Sequence, residues 1–167
     1  MSVHSYSRCW VHLIWGTLNR EKVLHSKAAA RVSRYISQYA ERNEIYMKIN
    51  YVNVDHVHAL VDLPTSHSVE KVIQLIKGSS SHWINANNVI AGKFAWGRGY
   101  GVFSVSESNI GHVAAYIAGQ QNIIRHVRSQ RSSRSSSTGM GCVGKMRKAV
   151  ETAVRSIVCD HRPEDRC

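Results

Sequence analysis

The sequence predicts an α+β domain in which a four-stranded antiparallel sheet carries helices, and three observations predict it. Four short runs are rich in β-branched and aromatic residues, three longer segments repeat apolar residues at helical spacing, and the seven follow one another as strand, helix, strand, strand, helix, strand, helix. That order is the split βαβ pattern of ferredoxin-like and RRM-like folds, with one further helix at the end.

The first strand is expected over residues 7–17, where Trp10, Val11, Leu13, Ile14 and Trp15 surround a single His12. So aromatic and branched a run suits a central position. Asn19 and Arg20 open a loop. Residues 28–42 set Val32, Ile36, Tyr39 and Ala40 on one helical face and Arg31, Arg34 and Glu41 away from it, the pattern of a surface helix.

Residues 44–53 and 54–63 alternate as the two strands of a hairpin, the second closed by Pro64, which has no N–H to give a ladder. Ser68 caps a helix to about residue 85, with Val69, Val72, Ile73, Ile76 and Trp83 inward and Glu70, Lys71 and Lys77 outward. Gly97, Gly99 and Gly101 loosen the connection to a fourth strand at 102–105. The last helix, capped by Ser106 or Ser108, runs to about residue 126. Beyond it the character changes, since residues 128–138 hold six serines and three arginines and no large apolar residue. The chain thus divides into a folded domain at 1–127 and a basic Ser/Arg-rich tail at 128–167.

Charge narrows the partner. Lys and Arg number 22 against 11 Asp and Glu, a formal +11, and residues 1–127 stay basic without the tail, so nucleic acid is the expected partner. The four cysteines, Cys9, Cys142, Cys159 and Cys167, form no C-x-x-C pair, which argues against a disulfide framework or zinc knuckle and for a reducing cytoplasm. No apolar run has the length of a membrane helix, and no targeting signal is read.

Two positions carry candidate chemistry. His56 and His58 are two apart on the third strand, so both rings leave the same face, close enough to share one ion, while Val57 points into apolar packing. An H-x-H pair alone is common on the polar face of a strand, and a metal site needs a third ligand. On the last helix Tyr116 and Gln120 are four residues apart and project one turn from each other beside the stripe of Ile110, Val113, Ile117 and Ile124. If that helix lies across the sheet, phenol and carboxamide both reach the histidines.

Taken together these segments resemble the IS200/IS605-type tyrosine transposases of the HUH endonuclease group. The stretch Val54-Asp55-His56-Val57-His58-Ala59-Leu60-Val61 looks like the family's His-hydrophobic-His strand. Ser68-Val69-Glu70-Lys71 and Leu75-Ile76-Lys77-Gly78-Ser79-Ser80-Ser81 resemble its following helix. Phe94-Ala95-Trp96-Gly97-Arg98-Gly99-Tyr100 is similar to its approach to the fourth strand, and Tyr116-Ile117-Ala118-Gly119-Gln120 to its catalytic helix.

The resemblance implies a metal-dependent enzyme that cleaves and rejoins single-stranded DNA through a 5′-phosphotyrosine at Tyr116, with His56, His58 and Gln120 as ligands of Mg²⁺ or Mn²⁺. It further implies recognition of DNA hairpins at element ends and a homodimer. Arg8, Arg20, Lys22, Lys77, Lys93 and Arg98 are candidate phosphate contacts, and Trp10, Trp15, Trp83 and Trp96 are candidate stacking or core residues. The tail departs from the family, since residues 128–167 contain no Phe, Trp or Tyr, as a natural ending or a changed reading frame would leave it. Two rival readings are an inactivated RRM-like nucleic-acid binder and a nuclease using water as its nucleophile.

Overall fold

The computed structural model describes residues 6–120 and residue 152. Its elements are β1 (Trp10–Gly16), α1 (Ser26–Arg42), β2 (Tyr46–Val52), β3 (His56–Asp62), α2 (Val69–Ala86), β4 (Gly101–Ser104) and α3 (Ile110–Ala118), with short 3₁₀ turns at Leu18–Arg20 and Glu107–Asn109. The strands form one antiparallel sheet in the order β2-β3-β1-β4. Because β3 lies antiparallel between β1 and β2, the β1–α1–β2 unit is split, as the element order predicts.

Pleating sorts the side chains. Val11, Leu13 and Trp15 of β1 and Val57, Ala59 and Val61 of β3 face α1 and α2, joining Val32, Ile36, Val72, Ile76 and Ile84 in the main core. The other face carries Trp10 and Leu60, which pack with Val113 and Ile117 of α3 in a second, smaller core. All seven residues of β1 are buried, so its continuous apolar run is that of a strand covered on both faces. Each aliphatic or aromatic side chain sealed this way contributes about 1.5–3 kcal/mol. That rigid central strand is what holds one face of the sheet against α3.

Several boundaries move. The last helix starts at Ile110, not at Ser106 or Ser108, because the two serine hydroxyls bond each other and that of Ser106 also accepts from the Asn109 amide, instead of capping a backbone N–H. Residues 121–127, the expected end of that helix, and the division at 127/128 lie outside the described residues. On α2, Ser68 does cap, accepting from the Lys71 N–H at 3.1 Å. Trp83 is half-buried in the α1–α2 seam, stacked on Tyr35 at 4.5 Å, and Ile84 takes the fully buried place. Lys77, expected to face outward, is half-buried: its ammonium donates to the carbonyls of Gly97, Arg98 and Gly99 at 2.6, 3.2 and 3.2 Å. Among the described residues no helix is long and apolar enough to cross a membrane.

Candidate active site

The register of β1 on β3 builds the site. Gly16 pairs with His56, Ile14 with His58 and His12 with Leu60, so His12, His56 and His58 all leave the sheet on the α3 side. His12 and His58 are therefore diagonal neighbours across the strand pair, within reach for long side chains. The His12 Nε2 lies 3.1 Å from the His58 Nδ1, with the rings stacked at 5.3 Å. Both residues are 1 % exposed.

The second ring is held from the other direction. Asp55 contacts His56 Nδ1 through Oδ1 and the Arg20 guanidinium through Oδ2, at 2.5 and 3.0 Å. Strict alternation would turn Asp55 away from the histidine face, but it precedes the first residue of β3, where the pleat does not yet govern direction. Arg20 reaches it from the loop after β1 with a left-handed backbone, φ 58°, next to Asn19 at φ 52°. Gly16 leaves the space: a Cβ there would stand 3.1 Å from the Arg20 Cδ.

Burial decides the charge of these groups. The His12 imidazole is pushed down to about 4 by burial alone. His58 is held well below its usual range, first by burial and then by the charges of His56, His12 and Arg20. Burial would raise the Asp55 carboxyl, but the His56 hydrogen bond and the charges of His56, Arg20 and Lys22 outweigh it, leaving the carboxyl below its ordinary value. His12 and His58 are neutral at pH 7, the form in which an imidazole ligates a cation.

α3 brings the phenol to this cluster. Val113 and Ile117 anchor the helix on Trp10 and Leu60, and the half-buried Tyr116 ring stands edge-on to His58 at 6.0 Å and to His12 at 6.2 Å. Gln120 follows one turn later and is buried, 8 % exposed. Among the described residues no three His, Cys, Asp or Glu side chains are arranged to hold an ion, so were His56 and His58 to hold one, a third ligand would be of another type. An amide such as that of Gln120 is one. With Asp55 and His12 engaging the two Nδ1 atoms, Nε2 is the atom each imidazole would have to offer an ion, and such a donor set would suit a divalent ion, Mn²⁺ more than Mg²⁺.

The basic residues separate. Lys22, Lys93 and Arg98 are exposed, with no ion pair among the described residues. Arg8 is exposed but bonds Asp62 at 2.9 Å and Tyr6, Arg20 serves Asp55, and Lys77 serves backbone carbonyls. Trp10, Trp15 and Trp96 are core residues, Trp96 donating to the Ser80 hydroxyl at 2.9 Å. A groove of about 670 Å³ between the start of α2 and residues 95–100, lined in part by Lys71, Lys77, Arg98 and Tyr100, shares no residue with the histidine cluster. His12 is the residue that reading the sequence missed. Its signal was a lone polar side chain in an otherwise apolar strand.

Comparison with known proteins decides the family, since the family described as "Transposase IS200 like" matches residues 5–120, a span that holds every member of this cluster. The chain belongs to the IS200-like transposases. No curated relative matches it. Among solved structures, this transposase-family chain is similar to a candidate transposase from Deinococcus radiodurans R1, with a TM-score of 0.55 and 24% identity over 72% of this chain and 96% of that one. It is also similar to a REP-associated tyrosine transposase bound to a REP hairpin, with a TM-score of 0.50 and 16% identity over 75% of this chain and 74% of that one. At those identities the likeness is one of fold, and the membership rests on the family match.

Proposed function

We propose that this IS200-like transposase cleaves and rejoins single-stranded DNA with Tyr116 as nucleophile and His56, His58 and Gln120 as ligands of a divalent cation, Mg²⁺ or Mn²⁺. The observation that carries the reading is the Tyr116 ring 6.0 Å from the ring of His58, on a face where His56 also points. When bound, the cation supplies Lewis-acid polarisation of a phosphoryl oxygen.

The chain's own residues do the rest. The Tyr116 oxygen forms a bond to phosphorus as the bond from phosphorus to the leaving 3′-oxygen breaks. The phenolic proton passes to water and the 3′-oxygen takes one up, so a free 3′-hydroxyl and a 5′-phosphotyrosine result. A second 3′-hydroxyl reverses the step and releases the phenol, so rejoining needs no nucleotide cofactor. Anchoring of α3 by Val113 and Ile117 holds the phenol at the histidines throughout.

The net charge of +11 supports a polyanionic substrate. Its proposed form is a single-stranded DNA hairpin, the kind of ligand held by the REP-associated structural neighbour. Exposed Lys22, Lys93 and Arg98 are its proposed phosphate contacts, with Arg8 joining them if it exchanges Asp62 for phosphate. Arg20 and Lys77 are already committed inside the fold. The family resemblance adds a homodimer, the cysteine pattern a reducing cytoplasm, and composition a basic tail at residues 128–167.

The test is incubation with hairpin-bearing single-stranded DNA and Mn²⁺, read on a denaturing gel. A DNA–protein adduct that disappears in Tyr116→Phe supports the strand transferase. Cleavage by Tyr116→Phe without an adduct favours water as nucleophile, and identical behaviour of both proteins without cleavage favours a binder.

A further inference from the structure

We infer that His12 is a positioning residue for the cation site, which accepts the Nδ1 proton of His58 on its own Nε2 and so leaves the His58 Nε2 lone pair for the ion. The inference rests on the proposed His56, His58 and Gln120 ligand set and adds a residue outside it.

Across the 3.1 Å line between His12 Nε2 and His58 Nδ1 only one proton fits, and both rings are sealed from water. If His58 donates, its Nε2 carries a lone pair and can ligate. If His12 donates, the proton of His58 sits on Nε2 and blocks it. Only the first arrangement is compatible with a cation at His58.

The same task is done differently on the neighbouring ring. Asp55 as a carboxylate accepts only, so it fixes His56 with the proton on Nδ1. His12 can donate or accept, so the arrangement at His58 stays open until an ion selects it. His12 also keeps its own Nδ1 buried without a hydrogen-bond partner among the described residues. An apolar ring in that place would remove this unpaired atom but leave the buried His58 Nδ1 without its partner, so the contribution of His12 lies in the bond to His58.

The experiment titrates Mn²⁺ into the full chain without DNA and follows the free ion by electron paramagnetic resonance. His12→Phe is expected to weaken binding about 10–100-fold, and His12→Gln, whose amide oxygen can accept from His58, to recover most of the loss. Unchanged affinity in His12→Phe overturns the inference. Should His12→Phe fail to fold, ¹⁵N-histidine NMR of wild type with Zn²⁺ decides: His58 protonated at Nδ1 supports it, and His58 protonated at Nε2 overturns it. If wild type binds no Mn²⁺, or if His56→Ala and His58→Ala bind as wild type does, the ligand set itself fails and this inference falls with it.

Discussion

Tyr116 stands edge-on to His58 at 6.0 Å, its helix pinned to the same sheet face by Val113 and Ile117. The phenol and the imidazole come from elements far apart in the chain, yet two apolar contacts on Trp10 and Leu60 fix their approach. The proposed nucleophile and ion site, held on packed elements, would need little reorganisation before reaction.

The first expectation concerns division of labour. His56→Ala and His58→Ala should each abolish cleavage of hairpin DNA while leaving its affinity in a gel-shift assay nearly unchanged, because the proposed ion ligands and the exposed cations are different residues. A folded variant that loses binding together with cleavage would contradict that separation.

Gly16 is the second. A Cβ there meets the Arg20 side chain at 3.1 and 3.3 Å and the Asp55 carbonyl at 3.4 Å, so Gly16→Ala should displace Arg20 and loosen the Asp55–His56 pair. We expect a loss of about 1–3 kcal/mol in urea unfolding, with weaker Mn²⁺ binding. Wild-type values for both would show that the loop yields freely.

How much of this was legible in the sequence depends on whether a residue's partner was local. The split βαβ order, the α1 stripe of Val32, Ile36 and Ala40, and the shared face of His56 and His58 follow from periods of 3.6 and 2, which need no knowledge of neighbours. His12 escaped because its role comes from the β1–β3 register, which sets it diagonal to His58 across 46 positions of sequence. Asp55 is beyond the reach of alternation, since it lies one residue before the strand begins. Lys77 looked like a solvated cation because the three carbonyls that claim it lie 20 to 22 residues on.

Acid should unfold the metal-free protein through its buried imidazoles. His12 is lowered from 6.5 to about 4 and His58 is lowered as well, so as pH falls below about 6.5 the unfolded chain takes up protons that the folded one refuses. Stability is therefore full at neutral pH and declines toward pH 4, with His12 alone accounting for roughly 2–4 kcal/mol. Urea melts in EDTA at pH 7 and pH 4.5 check this; His12→Phe should show a shallower decline, and a slope equal to that of wild type would count against it.

Lys77 and Arg98 should part company. Lys77→Ala leaves the carbonyls of Gly97, Arg98 and Gly99 without their donor and should cost about 1–3 kcal/mol of stability. Arg98→Ala should leave melting unchanged but lower the salt slope of DNA binding by about one. The reverse pattern would reassign both residues.

The most direct measurement is peptide mass spectrometry of the protein after incubation with cleavable hairpin DNA and Mn²⁺, followed by nuclease trimming. A nucleotide attached through its 5′-phosphate to the peptide holding Tyr116, and to no other tyrosine, is the predicted result. Cleaved DNA with every tyrosine unmodified, or the adduct on a different tyrosine, would contradict the account.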